Sequence, residues 1–313
     1  MARRLARQLV RTLLLLVGVS LVVFALDLLI PGDPAQVLAG ESATTTDIER
    51  TRERLGLDRP LVQRYAEWAA RAIRGDLGQS LFSSQSVAEE IAARLPVTLS
   101  LMVLSLALGV AAGIAAGIAA ALNYGGPADR AIVMLASLGV AMPNFWVGLL
   151  LVLLLAIALP WLPATGYVPL TESPAAWLRH LALPSAALAL APAAEITRQV
   201  RGSVIGIRQR DFVRTAVAKG LPGRLVIGKH VLKNTGVTVA TVAGIQVSVL
   251  LGGSVVIEQV FGLPGIGGLA LQAVVSRDLP IVQGIVLVTT LLVLASSLLV
   301  EFSYAYFNPK VRA

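Results

Sequence analysis

Long apolar runs alternate with short polar segments along most of this chain. Each run carries few or no charges and approaches the roughly 20 residues that a helix needs to cross a bilayer. The pattern predicts an all-α integral membrane protein with six transmembrane helices. The second predicted span starts at residue 96, within the uncharged run 95–128, and the others cover residues 9–30, 131–159, 181–201, 234–257 and 281–303.

The longest polar segment, residues 31–95, follows the first predicted span. Within it, six apolar residues share one face of a helix, and they are Leu61, Tyr65, Trp68, Ala69, Ala72 and Ile73. A turn is predicted at Gly75–Gly78, and a helix from Ser86 leads into the second span. This segment has too little apolar material for a core of its own. We therefore expect it to lie against the outer face of the membrane.

The distribution of positive charge predicts the orientation. Each short outer loop carries one cation, Arg179 or Arg277, whereas the predicted inner segments hold most of the Lys and Arg. Cytosolic loops are enriched in these residues, and long segments are exempt from the rule. Residues 1–8 and the tail 304–313 are therefore predicted to be cytosolic.

Composition narrows the class of protein further. Of 313 residues, 56% are hydrophobic and 14% are charged, and there is no cysteine. The chain therefore has no disulfide framework and no thiolate nucleophile or ligand. Its two histidines, His180 and His230, are too far apart in sequence to indicate a metal site. The net charge of +8 is explained by orientation in the membrane, so no nucleic acid partner is predicted.

Several small and polar residues lie within the predicted spans. Glycines at every fourth position, 109, 113 and 117, predict close helix packing.

Asn144 follows Pro143 at a predicted kink, where it either lines a pathway or satisfies carbonyls freed by the kink. Pro184 and Pro192 are expected to interrupt the fourth span. Near the inner end of that span, a structural pair between Glu195 and Arg198 is favoured over proton coupling.

The fifth span is rich in hydroxyl and amide side chains. This polarity favours a helix that faces either a water-filled path or a partner subunit. Gln246 and Ser248 are its candidate path residues, and Glu258, at the start of the following outer loop, is another.

The most basic region lies between the fourth and fifth spans. Residues 198–233 contain nine Lys or Arg against one acid, Asp211. A two-turn helix is predicted, with Asp211 as its N-cap and Gly220 at its end, and Pro222 starts a second helix. On charge alone, this segment is a basic loop beside the membrane.

The segment Asp211-Phe-Val-Arg-Thr-Ala-Val-Ala-Lys-Gly220 resembles the EAA loop of ABC importer permeases. It is closest to the dipeptide/oligopeptide variant, in which Arg214 and Thr215 replace Glu and Ala. Three outer strings are also similar to that family: Leu29-Ile-Pro-Gly-Asp-Pro34, Gly75-Asp-Leu-Gly-Gln-Ser80 and Glu258–Gly268. The resemblance extends from Pro31 to the C-terminus.

This resemblance implies the type I ABC importer permease fold in the bacterial inner membrane. It also implies a coupling loop, 202–233, whose helix docks in a groove of a separate ATPase subunit. The residues implied for docking are Asp211, Phe212, Arg214, Thr215, Ala216, Lys219 and Gly220. The implied partners are a second homologous permease, two ATPase subunits that hold ATP and Mg, and an extracytoplasmic binding protein. Tyr65 and Trp68 contact either that binding protein or the lipid interface.

The sequence opposes other functions. The string from Gly223 to His230 nearly matches a phosphate-binding loop. However, His230 stands where that loop has a Ser or Thr whose hydroxyl holds magnesium, and no predicted strand precedes Gly223. No cofactor or catalytic role is therefore predicted for this chain. An ion-coupled transporter needs carboxylates near span centres, whereas Glu195, Glu258 and Glu301 lie near span ends. The substrate stays open among peptides, nickel, glutathione and an opine.

Overall fold

The structure is a computed structural model that describes residues 2–29, 35–36, 44–54, 56–83 and 85–307. Within these residues the chain forms helices and turns, and the strand-type pairing is an isolated bridge between Gln79 and Ser86. The prediction of an all-α protein is therefore confirmed. Two predicted features, the string at 31–34 and the end of the tail at 308–313, lie outside the described residues.

The helices begin and end as follows. They are α1 (Ala2–Leu29), α2 (Thr45–Arg54), α3 (Leu61–Ile73), α4 (Val87–Leu122), α5 (Pro127–Ala141), α6 (Asn144–Leu151), α7 (Pro174–Arg208), α8 (Asp211–Ala218), α9 (Gly223–Leu225), α10 (Lys233–Phe261), α11 (Ile266–Ser276) and α12 (Leu279–Phe307). Two π-helical stretches, Val152–Ala158 and Val226–Leu232, continue α6 and α9.

The described chain forms two compact units. The first contains Pro96–Gly268 together with the chain from Val293, and the second contains Ala2–Leu95 and Leu269–Leu292. The first unit holds the basic region and all four predicted path residues.

Three described helices are long and apolar enough to cross a membrane: α4, α10 and the Leu279–Phe302 part of α12. Pro127–Ala141 and Asn144–Ala158 meet the same criterion together, but the two helices are bent by 103°. The expected kink at Pro143 is thus a full break. It arises because proline disfavours helical geometry in the residue before it, and both Met142 and Pro143 are extended, with ψ of 130°.

α7 is one continuous helix, so the expected interruption at Pro184 and Pro192 is wrong. Both prolines are buried, and neighbouring helices allow membrane helices to tolerate proline. Ser173 caps its start by accepting a hydrogen bond from the Ala176 N–H at 3.3 Å.

Close packing of α4 on α7 forms the centre of the first unit. A Cβ on Gly109 would lie 2.9 Å from Pro192 Cβ, and one on Gly113 would lie 2.8 Å from the Ala193 carbonyl oxygen. Gly117 is equally close to the Thr197 carbonyl, at 2.8 Å. The predicted packing role of this glycine stripe is confirmed.

Candidate functional site

The basic segment contains the predicted two-turn helix, α8. Its N-cap is Arg210, whose backbone is extended (φ −74°, ψ 149°), and Asp211 is the first helical residue. The prediction of Asp211 as N-cap is therefore wrong by one position. Its carboxylate still lies in the first turn, where the helix dipole favours negative charge.

The inner face of α8 packs into the hydrophobic core of its own unit. Val213 and Ala216 are 4% and 6% exposed, and they share a cluster with Val200, Val204 and Ile207 of α7. Ala216 was expected to meet a partner protein, but its small side chain serves this internal packing. α8 is consequently attached to α7 by side-chain contacts as well as by the chain.

The outer face of α8 is open to solvent and combines apolar and charged groups. Phe212 is 43% exposed and Val217 is 59% exposed. The other exposed residues of this outer face are Asp211, Arg214, Thr215 and Lys219. An exposed aromatic residue beside cations is typical of protein interfaces.

Gly220 ends this helix in a left-handed conformation, with φ +75°. The Leu221 N–H donates to the Ala216 carbonyl at 3.3 Å, and Pro222 then caps α9. A Cβ on Gly220 would meet nothing within 4 Å. Glycine is therefore needed for its backbone conformation alone, which confirms the predicted helix end.

An ion pair that the sequence did not reveal joins α7 to the first turn of α5. Arg201 donates two hydrogen bonds to the Asp129 carboxylate, from Nε to Oδ1 at 2.6 Å and from Nη2 to Oδ2 at 2.7 Å. Asp129 also accepts the Gly125 N–H at 2.9 Å, and the guanidinium lies 5.2 Å from the centre of the Tyr124 ring. The one indication in the sequence was Asp129 itself, a single acid in a predicted inner turn of a chain whose other inner segments are basic. Its partner lies 72 positions further along the chain.

The candidate path residues are not brought together. Asn144 begins α6, with its Nδ2 atom 3.5 Å from where a Cβ on Gly253 of α10 would lie. Gln246 is 7% exposed, whereas Ser248, two residues on, is exposed on another side of α10. Gln246 thus lies on the buried side of α10, the partly buried Asn144 packs against α10 from α6, and Ser248 lies on an exposed side of α10.

Glu258 lies in the last turns of α10, so the outer loop starts later than expected. Its side chain is 1% exposed. Thr98 donates to Glu258 Oε1 at 2.7 Å, and the Gly268 N–H donates to Oε2 at 3.1 Å. Thr98 Oγ1 also accepts the Ile266 N–H at 2.9 Å. The carboxylate therefore fastens α4 and the start of α11 to α10.

Tyr65 and Trp68 pack on the first helix, within the second unit. The Tyr65 hydroxyl lies 2.8 Å from Ser20 Oγ. The Phe24 ring centre lies 5.5 Å from that of Tyr65 and 5.8 Å from that of Trp68. Both side chains are half-buried by these contacts, which reduces the surface that a binding protein could contact.

Comparison with known proteins gives consistent matches over nearly the whole chain. Residues 113–313 match the family described as binding-protein-dependent transport system inner membrane component. Residues 1–102 match the N-terminal region of binding-protein-dependent transport system membrane components.

Individual relatives are similar along nearly their full length. A peptide transport system permease protein of Brucella abortus is 40% identical over 94% of both chains. A glutathione transport system permease protein of Pectobacterium atrosepticum is also 40% identical over 94% of both. The di/tripeptide transport system permease protein of Pseudomonas aeruginosa is 36% identical, again over 94% of both.

Proposed function

Because the chain belongs to the family of binding-protein-dependent transport system inner membrane components, we propose that it forms half of the translocation pathway of an ABC importer. A second homologous permease supplies the other half, and two ATPase subunits bind ATP and Mg. An extracytoplasmic binding protein delivers the substrate. The observation that carries this proposal is the outer face of α8, an exposed apolar and cationic surface on a helix whose opposite face is anchored.

The packing of α8 supports a mechanism of coupling. A force on the outer face passes through Val213 and Ala216 to α7, because these side chains share a core cluster with Val204 and Ile207. A packed core transmits such a displacement instead of absorbing it. ATPase closure thus moves α7, and α10 moves with α7 because the two helices pack together.

Di- or oligopeptides are the proposed substrates. Relatives named for peptide and di/tripeptide transport support this choice. A relative named for glutathione transport makes glutathione, itself a peptide-like molecule, the first alternative. Nickel and opines remain alternatives from the sequence resemblance.

Gly220→Val tests the coupling role of α8. A β-branched residue at φ +75° is strained by about 1–3 kcal/mol, and it alters the end of α8 without touching a predicted span. In proteoliposomes containing the complete importer, we expect ATP-driven uptake and substrate-stimulated ATP hydrolysis to fall together. Gly223→Val is the matched control, since its Cβ also meets nothing within 4 Å and its φ is not positive. Wild-type uptake and hydrolysis in Gly220→Val would refute the assignment.

The same proteoliposomes identify the substrate. Uptake of a radiolabelled dipeptide, dependent on the binding protein and ATP, is the expected result. Uptake of glutathione with no uptake of dipeptides would replace the peptide proposal by its first alternative.

A further inference from the structure

Among the described helices, none covers one side of α7. α4 covers the side that carries Ala193 and Thr197, and α5 covers another, where a Cβ on Gly139 would lie 3.2 Å from Leu190 Cδ2. α10 covers a third side, where Thr238 donates to Ser203 at 3.5 Å. The uncovered side carries small and charged residues, which are Ala191, Glu195, Arg198 and Gly202.

A charged cluster occupies this open side. Glu195 forms an ion pair with Arg198, and Gln199 Nε2 donates to Glu195 Oε1 at 3.0 Å. The side chains of Arg198 and Glu195 are 46% and 28% exposed. Towards the outer end of α7 the same side is closed, because Pro184, Ala187 and Leu188 are buried. The open stretch therefore starts near Ala191 and continues towards the cytosolic end.

This cluster lies near the inner end of the predicted span 181–201. Arg198 lies one helical turn before Arg201, whose pair with Asp129 marks the inner turn. That places Glu195 and Arg198 inside the predicted span 181–201. Because hydrocarbon does not solvate charged side chains, this open side of α7 is expected to face water and not lipid.

Gln246 of α10 adds an unsatisfied polar group at the same level. Leu188 lies against Gly253, and Ser203 is hydrogen-bonded to Thr238, so the two antiparallel helices are in a fixed register. In this register Gln246 lies opposite position 195 of α7. It is 7% exposed, and its Oε1 atom has no hydrogen-bond partner among the described residues. Buried amide oxygens normally have a partner, which a substrate or its water would supply.

We propose that Glu195, Arg198 and Gln199 form a substrate-contacting subsite on the translocation path that binds the charged termini of a peptide. This inference rests on the proposed peptide function. The Arg198 guanidinium matches a peptide carboxylate, and the Glu195 carboxylate matches an N-terminal ammonium. When the two side chains separate to bind a zwitterion, each charge exchanges one opposite partner for another. The site thus holds no uncompensated charge with or without substrate.

Charge-selective uptake is the first test. In the complete reconstituted importer, Arg198→Gln should lower uptake of a dipeptide with a free carboxylate by about ten-fold, with little effect on its C-terminal amide. Glu195→Gln should lower uptake of a dipeptide with a free N-terminus, with little effect on uptake of the N-acetylated dipeptide. Gly202→Ala, on the same open side, is the control and should leave both ratios unchanged. Equal losses for free and blocked peptides would show that the pair is only structural and would overturn the inference.

Cysteine reactivity gives a second readout that does not depend on recognition by the binding protein. In this cysteine-free chain, Arg198→Cys should react with a charged, water-soluble methanethiosulfonate in the assembled importer, and saturating dipeptide should slow that reaction. Leu154→Cys, 55% exposed on the apolar α6 continuation, should stay unreactive. An unreactive Arg198→Cys, or one that dipeptide does not protect, would overturn the inference alone. Absence of any peptide uptake by the unmodified importer would overturn the proposed peptide function and this inference with it.

Discussion

At the scale of single residues, the tightest constraint lies in the glycine stripe of α4. The atoms that a side chain would meet include main-chain carbonyls of α7, which cannot rotate away as a flexible side chain does. Because such contacts depend on the absence of Cβ, even alanine should disturb them.

Gly113→Ala should therefore lower stability, although alanine favours helix over glycine by about 1 kcal/mol. The new Cβ would lie 2.7 Å from Ile196 Cβ and 2.8 Å from the Ala193 oxygen. Overpacking of this kind costs about 1–3 kcal/mol, which thermal unfolding in detergent would detect as a lower Tm. Gly206→Ala on α7 meets nothing within 4 Å and should be neutral or stabilising. Equal Tm values for the two variants would contradict this account.

The residue-level predictions that the structure confirms concern glycine, which lacks a Cβ and therefore has properties that no other residue shares. Gly220 and the α4 glycines were found because only glycine permits positive φ or backbone approach. Sequence did not reveal the Asp129–Arg201 pair, since nothing local specifies a partner 72 residues away. The partners of Glu258 were missed for the same reason, because Thr98 is 160 residues distant.

At the scale of elements, α3 has a position that hydropathy alone did not indicate. Its aromatic side packs on Ser20 and Phe24, which lie about 9–15 Å along α1 from the predicted span end at residue 30. α3 therefore lies alongside the first predicted span, not beyond it. Its remaining apolar side is open, with Val62 81% and Ile73 87% exposed. An amphipathic helix with this arrangement is typical of the membrane interface.

Spin labels test the environment of α3. In the reconstituted importer, labels on Val62→Cys and Ile73→Cys should collide more with oxygen than with a water-soluble nickel chelate, because acyl chains surround them. Labels on Glu67→Cys and Arg71→Cys, on the charged side of the same helix, should show the reverse. If labels on both sides are equally accessible to nickel and the binding protein shields Val62, then this surface docks the binding protein.

Periodicity and hydropathy predicted α4, α10 and α12 well, because uncharged runs of that length have few alternative structures. They did not predict the break at Pro143, whose size depends on how the two halves pack. α7 was the other failure: its prolines suggested an interruption, but packed neighbours keep the helix continuous. Tertiary context decided both outcomes.

At the scale of the whole molecule, the distribution of charge assigns the two sides of the membrane. The exposed outer face of α8 belongs to the most basic region, and the positive-inside rule predicts that this region is cytosolic. We propose six spans with both termini inside, an arrangement that agrees with this rule.

Labelling tests the topology. An impermeant maleimide added to intact cells should modify Gln85→Cys and not Gly223→Cys, and inside-out vesicles should give the opposite result. Both positions tolerate a new side chain, since Gln85 is exposed and Gly223 has open space around it. Labelling of both from one side would refute the six-span arrangement.

The break at Pro143 has a consequence for biogenesis. α5 and the helix Asn144–Ala158 are each about 22 Å long, which is shorter than the hydrocarbon core of a bilayer. Both halves rest on α7, through Gly139 against Leu190 and Gly148 against Ala187. The ribosome delivers α7 after them, so neither half has its supporting surface while it leaves the translocon. We therefore expect residues 127–158 to reach their final position only after α7 has emerged, so that the three helices enter the membrane together.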